Sequence, residues 1–497
     1  MMRIKINLIL VLLWLSVNVN SQERLDTEKP YQVLSGTVSQ DNFHTYLEVP
    51  FTLPEGVKRL TVKFSYDTRD EKTTIDLGVA DPARFRGWSG GARNIFTLSE
   101  EDATAGYLPG TIIPGKWNLW LGVPNIRKGV TAHYEAKIFI DTADTVTEFS
   151  DQPIRTSAGW YYGDLHMHSG NSDGKCLSVS GKEVNTPVFK VVETAAKKNL
   201  DFMALTDHNT FTQARYLREL QPYFDNMLLV PGQEITTFFG HANAFGLTKF
   251  VDFRMTDPTY RQAMNWMKDV NKSGGVISIN HPGSPTGESC MGCGWEMKDI
   301  PANVVTAVEI INGGSGPAEG PLQGLNLWHQ MLKLGRKVTA IGGSDNHRPD
   351  QPADKNGGIG FPTTAIYMDN LSVKSLLDGI RKGRVFVETE GNKDHLVDLW
   401  AISGKTECHM GTNMNVQPKD KVTWMVNVKA VTGCKVEFVV DGDVHPENTR
   451  AITTDNETLT IPWKADGKYH FVYVKVKNKE DKLVMVSNPL YFNLPTQ

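Results

Sequence analysis

His166 and His168 stand one residue apart at the end of the run Tyr161-Tyr162-Gly163-Asp164-Leu165. Side chains at i and i+2 of an extended chain share a face, so both imidazoles project to one side. Asp173 follows five residues later, beside Gly174, where a turn can bring its carboxylate back to the same point. Imidazole with carboxylate is a donor set suited to zinc, manganese or iron. One His-x-His pair is a weak signal, and its weight comes from repetition. Thr206-Asp207-His208-Asn209, Pro231-Gly-Gln-Glu234, Gly240-His241, Asn280-His281-Pro282 and Gly343-Ser-Asp345-Asn-His347 carry the same residue types further along the chain.

Most of these groups follow an apolar run that reads as a strand: Phe202 to Thr206, Leu228 to Val230, Val276 to Ile279 and Val338 to Ile341. Helical patterns lie between them. Thr186 is the expected cap, with Pro187 at the first helical position. Val188, Val191, Val192, Ala195 and Ala196 then recur at helical spacing up to Asn199. Further helices are expected over 259–271, 322–334 and 371–381. Strand alternating with helix predicts a parallel sheet, and here a barrel whose strand ends surround one mouth. Side chains far apart in sequence are then expected to meet there. Taken singly, each has a plainer role: His208 or His281 a hydrogen-bonded histidine, Asp345 a helix cap, Glu234 a partner of a lysine. Their recurrence at one end of strand after strand argues for ligation. His44, His133, His395, His409, His445 and His470 fall outside the pattern and read as surface or hydrogen-bonded residues, and His329 as packed or solvated within a helix.

At 497 residues the chain is long enough for about three domains. Its 40% hydrophobic and 22% charged residues are those of a globular protein, and a formal charge of −4 with no basic stripe argues against nucleic-acid binding. Residues 1–21 have the layout of a secretory signal peptide: Arg3 and Lys5, then apolar Ile6 to Val17, then a cleavage point near Ser21. A periplasmic or secreted protein without stable membrane insertion is expected. Residues 22–142 read as a β-sandwich from short alternating strands such as Leu60 to Tyr66. Trp88, Trp117 and Trp120 there are packing aromatics before they are a sugar-binding face. Residues 143–158 read as a linker, 159–395 as the catalytic barrel and 396–497 as an immunoglobulin-like sandwich. Of five cysteines, Cys408 and Cys434 are close enough in sequence to pair, which would stabilise by about 3 kcal/mol. Cys290 and Cys293 form a lone C-x-x-C, to which Cys176 could bridge.

The motifs Asp164-Leu-His166-Met-His168-Ser169, Thr206-Asp207-His208-Asn209, Pro231-Gly-Gln-Glu234, His281-Pro282 and Gly343-Ser-Asp345-Asn-His347 resemble those of the PHP (polymerase and histidinol phosphatase) domain. The β-flanked, exported layout is similar to its CehA/McbA-like branch. The resemblance covers about residues 159–390 and implies a distorted (β/α)7 barrel holding two or three divalent ions. Carried over, it implies that His166, His168, Asp173, His208, Glu234, His241, His281, Asp345 and His347 are ligands. Some members have a histidine where this chain has Asp173. Zinc, manganese and iron all suit the set.

Two such ions about 3.5–4 Å apart lower the pKa of a shared water toward roughly 7 and stabilise charge on a substrate oxygen. Glu234 is the candidate bridging carboxylate, and Asp345 and His347 are candidates for proton transfer. Arg348 is the candidate clamp on an anionic group. Asp207 is expected to orient a neighbour. The expected activity is a metal-dependent hydrolase of phosphoesters or related esters, on a small molecule or oligosaccharide. The alternatives are a metal-assisted lyase or dehydratase on uronate-containing oligosaccharides, and a non-catalytic glycan-binding protein.

Overall fold

The alternation that marks the first strands also builds their core. In a computed structural model, which describes residues 29–142, 153–247, 249–288, 290–298, 300–301, 303–352 and 357–496, Leu60, Val62 and Phe64 of the strand Arg59–Tyr66 are buried. Residues of one face point inward at every second position. Two four-stranded antiparallel sheets result. One runs Gln32–Val38, Ala132–Asp141, Arg59–Tyr66, Ile95–Ser99; the other runs Tyr46–Leu53, Gly115–Asn125, Thr74–Ala80, Phe85–Gly90. Trp117 is fully buried between them with Phe51, Leu77 and Leu119. The expected signal peptide over 1–21 and residues 143–152 of the expected linker lie outside the described residues. Ile154 and Arg155, in the rest of that stretch, pair with Leu371.

The central region is organised around one sheet. In spatial order it runs Thr339–Gly343, Ala307–Asn312, Val276–Ile279, Gly240–Phe245, Leu228–Thr237, Phe202–Leu205, Gly159–Asp164, Thr363–Met368, Val385–Glu388. Phe202–Leu205 is parallel to both of its neighbours, and Ala307–Asn312 is parallel to both of its own. Gly240–Phe245 runs antiparallel between Leu228–Thr237 and Val276–Ile279.

The expected (β/α)7 barrel is therefore corrected. Of the described residues, 41% are in strand and 13% in helix, with five α-helices among them. A strand–helix repeat of that kind needs a helix at each crossover. Here Leu228–Thr237 turns straight into Gly240–Phe245 as a hairpin, and Thr363–Met368 and Val385–Glu388 pair antiparallel. Nor does the sheet end with the central region. Val385–Glu388 pairs with Leu483–Ser487 of the C-terminal region, so one sheet of 16 strands runs through both. A further four-stranded sheet, Thr406–His409, Leu396–Ser403, Lys421–Lys429 and Asn456–Lys464, packs on this extension. The shared core includes Tyr162, Phe386, Val426 and Phe438. Sequence reasoning missed Ala307–Asn312, Thr363–Met368 and Val385–Glu388, short strands buried on both faces that show no alternation of apolar and polar residues.

The helices lie close to their expected places: Val188–Lys197, Tyr260–Lys272, Leu325–Lys333 and Val373–Lys382, with Ala214–Leu220 in addition. The first is capped by Pro187 without a side-chain bond, and the expected Thr186 cap is not made. Val373–Lys382 is better defined: the Ser372 hydroxyl accepts from Ser375 N, and Gly383 closes it at φ +81°. Ser372→Ala is expected to cost about 1 kcal/mol, read as a lower urea midpoint at unchanged slope.

The cysteines pair differently from expectation. Cys290 is bonded to Cys293, while Cys176, Cys408 and Cys434 are free. No helix among the described residues is long and apolar enough to cross a membrane.

Candidate metal centre

Parallel neighbours put their carboxyl ends along one edge of a sheet. His166 and His168 leave the strand Gly159–Asp164 there, Asp207 and His208 follow Phe202–Leu205, His281 follows Val276–Ile279, and Asp345 and His347 follow Thr339–Gly343. His241 reaches the same edge by a different route. Its strand runs the other way, so its beginning lies opposite Thr236 at the end of the strand that carries Glu234.

Glu234 is the hub. Its buried carboxylate lies 2.7 Å from His208 Nδ1, 3.3 Å from His281 Nε2, 3.4 Å from His166 Nε2 and His241 Nδ1, and 3.5 Å from His168 Nε2. Asp345 Oδ1 is 3.1 Å from His168 Nε2 and 3.3 Å from His166 Nε2. Asp173 lies at the outer side, 3.4 Å from His347 Nε2 and 3.8 Å from His208 Nε2. All nine side chains named from sequence spacing fall into four overlapping groups: His168, Asp173, His208 and His347; His166, His281 and Asp345; His166, His168 and Glu234; and His208, Glu234 and His241. Within each, the ligand atoms lie inside 4.8 Å of one another, and each group can hold a metal ion.

Buried acids hold the loops in register. Asp164 accepts from the backbone N–H of His166, Ser344 and Gly360 at 3.1, 3.0 and 2.8 Å, tying the first motif to the last. Asp207 accepts from Ser169 N, Ser169 Oγ and Ser172 Oγ, which sets the turn leading to Asp173. His281 and Asp345 adopt positive φ, +26° and +56°. Such backbone costs on the order of 1–3 kcal/mol per residue and persists where surrounding bonds over-determine it.

The electrostatics are those of carboxylates and imidazoles that shift one another. Glu234 is held well below the usual carboxylate range: burial opposes this, and His208 and His166 outweigh it. Asp345 is held low in the same way, against burial, by His166, His168 and His347. His208 is raised to about 9; burial opposes the shift and Glu234 prevails. His166 and His281 are also raised against burial, by the surrounding carboxylates. His168 is instead pushed down to about 3 by burial, with His347 and His208 adding repulsion.

The donor atoms fit metal ions. Buried polar atoms in folded proteins almost always have hydrogen-bond partners. His166 Nε2, His168 Nδ1, both ring nitrogens of His241 and Glu234 Oε2 are buried and make no hydrogen bond, although His208 Nδ1 approaches Glu234 Oε2 to 2.7 Å. His166 Nε2 and His241 Nδ1 have carboxylate oxygens 3.3–3.4 Å away, while His168 Nδ1 and His241 Nε2 have neither a hydrogen bond nor an ion pair and would be costly to desolvate without a cation; all five belong to the predicted set.

Sequence reasoning missed Glu309, Asn280 and Asn312. Glu309 lies 3.1 Å from His166 Nδ1 and accepts from His281 N and Asn312 Nδ2. Asn280 donates to Glu234 Oε1 at 2.9 Å. Glu309 is the lone charge within the buried strand Ala-Val-Glu-Ile-Ile-Asn. Arg348 is turned outward and paired with Glu183. Glu388, Glu390 and His395 form a fifth group, in which the Glu388 oxygens already accept from Glu390 N, Asn392 N and His395 Nδ1.

Exposure is graded across the centre: the Glu234, His166 and His168 side chains are 0% exposed, His347 35% and Asp173 58%. The centre is therefore open to solvent on the Asp173 and His347 side. Two cavities adjoin the ligand loops. One of about 470 Å³ is lined by Thr236, whose hydroxyl is 2.6 Å from His208 Nδ1, with Phe238, Phe253 and Met255. One of about 640 Å³ is lined by Asn312, which bonds Asp345, with Gly313, Phe361 and Lys482. Comparison of the chain with protein-family models finds no match, and comparison with curated proteins finds none.

Proposed function

We propose that the protein is an exported metal-dependent hydrolase acting on phosphoesters or related esters, with two or three divalent ions of the zinc, manganese or iron type. The PHP resemblance supports this reading. The observation that carries it is the meeting of six imidazoles and three carboxylates, Glu234 among them, in overlapping groups, with buried donor atoms that make no hydrogen bond. When bound there, such ions lower the pKa of a water and polarise a phosphoryl or carbonyl oxygen.

The chain's own groups divide the remaining work. Glu234 and Asp345 supply permanent negative charge in a buried site. Asp164 and Glu309 orient the two ends of the His166 loop and the His281 backbone. His347 keeps its Nδ1 on the Asp345 carbonyl at 2.8 Å, which leaves Nε2, on the open side, to take or give a proton. The Cys290–Cys293 disulfide supports an oxidising compartment, in keeping with export.

The test is metal-free protein supplied with manganese or zinc and assayed on aryl phosphate mono- and diesters, carboxyl esters and carbamates. Turnover that metal restores and a chelator removes is expected. Failure across the whole panel by protein shown to hold metal would overturn the hydrolase assignment, and an unsaturated, ultraviolet-absorbing product from uronate oligosaccharides would replace it with elimination.

A further inference from the structure

The loop after His281 is closed by the Cys290–Cys293 disulfide. Its two halves face different surroundings: Cys290 is exposed, and Cys293 is 2% exposed. The Cys293 carbonyl accepts from His281 Nδ1 at 3.3 Å. With Nδ1 engaged there, His281 presents Nε2 to Glu234 Oε1, at 3.3 Å. The bond made by one ring nitrogen decides which nitrogen is free for a metal.

The loop is also keyed into the hairpin that carries Glu234 and His241. Gly292 has φ +73°, and a Cβ there would stand 2.1 Å from the Thr237 carbonyl. Trp295 N donates to the Pro282 carbonyl at 3.2 Å, and Glu296 N to the Phe239 carbonyl at 2.9 Å. The Trp295 ring covers Gly240, where a Cβ would meet it at 2.6 Å. The turn from Cys290 to Cys293 thus lies between this hairpin and His281, packed on the one and bonded to the other.

We propose that the Cys290–Cys293 disulfide is a redox-sensitive positioning element of the metal centre, holding the Cys293 carbonyl on His281 so that opening the bridge weakens one bound ion. The inference rests on the metal-binding reading above. Reduction breaks the S–S bond with two electrons from a reductant such as a phosphine. The phosphine takes the oxygen of a water and leaves as its oxide, and the two protons of that water go to the two sulfurs. A centre built in this way holds its full complement of metal under oxidising conditions and gives part of it up in a reducing one.

The experiment uses the full chain and cobalt(II) as probe. Affinity is read by competition with a chromophoric chelator, and geometry by the visible spectrum of the bound cobalt. Oxidised protein is compared with phosphine-reduced protein freed of reductant, with the open bridge verified by a thiol count. Loss of an outer-shell partner typically costs about 10- to 100-fold in metal affinity. A loss of that size is expected for one ion, with an altered cobalt spectrum, both reversed on reoxidation. Cys290→Ala with Cys293→Ala keeps the backbone carbonyl and is expected to match the reduced protein. Gly292→Ala keeps the disulfide but forces the turn off the Thr237 carbonyl, and is expected to do the same. If either variant fails to fold, the reduced wild-type chain still decides. Unchanged affinity, stoichiometry and spectrum with the bridge open would overturn the proposal, even if thermal stability drops. Oxidised protein that binds no cobalt would overturn the metal reading itself.

Discussion

Glu234→Gln is expected to empty the proposed metal centre and to lower the proposed metal-dependent turnover by more than about 100-fold, the upper end of what loss of an outer-shell partner costs. Five imidazoles lie within 2.7 to 3.5 Å of this one carboxylate. An amide of the same shape keeps the packing but supplies one acceptor oxygen in place of two and no charge. Its NH2 would meet ring nitrogens or the Asn280 amide, which already donates to Oε1. The metal-free variant is also expected to be less stable. His166 would keep Asp345 and Glu309 as acidic partners, but His208 would lose its nearest one and keep Asp173 at 3.8 Å, and a buried charge stripped of its partner costs about 3–5 kcal/mol. Metal content after dialysis, turnover and a denaturant midpoint measured on one preparation check all three effects. A variant that keeps its full metal content would remove Glu234 from the centre.

Proton and metal compete for the same nitrogens, so pH acts in opposite senses on the two forms. His208 has its pKa raised to about 9 from an ordinary 6.5. Protonated His208 therefore stabilises the metal-free fold fully below about pH 6.5, and that contribution is lost as pH rises through about 9. Its size is on the order of 3 kcal/mol. Glu234 and Asp345 are depressed, so their contribution is present above the ordinary carboxylate range and is lost as pH falls through their lowered values. Metal binding requires neutral imidazole. Between about pH 6.5 and 9 the metal-free Tm is thus expected to fall while apparent metal affinity climbs, and the gap between loaded and chelated Tm widens. Parallel Tm curves for the two forms over that range would contradict this account.

How much of this is visible without coordinates differs between site and fold. The nine candidate ligands are legible because their types are unusual at strand ends: imidazole and carboxylate placed after short apolar runs have few structural uses in such number. Glu309 escaped because its strand, Ala307–Asn312, was not recognised, and a single acid inside an apolar run carries no spacing signal. Arg348 was named because it follows the last motif directly, yet neighbourhood in sequence does not set direction, and its guanidinium faces Glu183.

The helices were legible to within a few residues because amphipathic spacing is local. Strand direction was not. A fully buried strand reads as the same apolar run whether its neighbour is parallel or antiparallel, so nothing in the run Leu228 to Val230 marked the hairpin of Leu228–Thr237 with Gly240–Phe245. The free state of Cys176, Cys408 and Cys434 likewise depends on distances that sequence spacing does not contain.

From the amino-acid order alone come the chemistry of the donors, the segments that carry them and the end of each segment at which they stand, since all of these rest on residue type and local periodicity. Only the tertiary structure decided which strands are neighbours and which way they run. It also decided that five imidazoles converge on Glu234 and that the central sheet continues into the C-terminal region. Those outcomes depend on contacts between residues far apart in sequence, made where burial of apolar strands brings polar loops to a common edge.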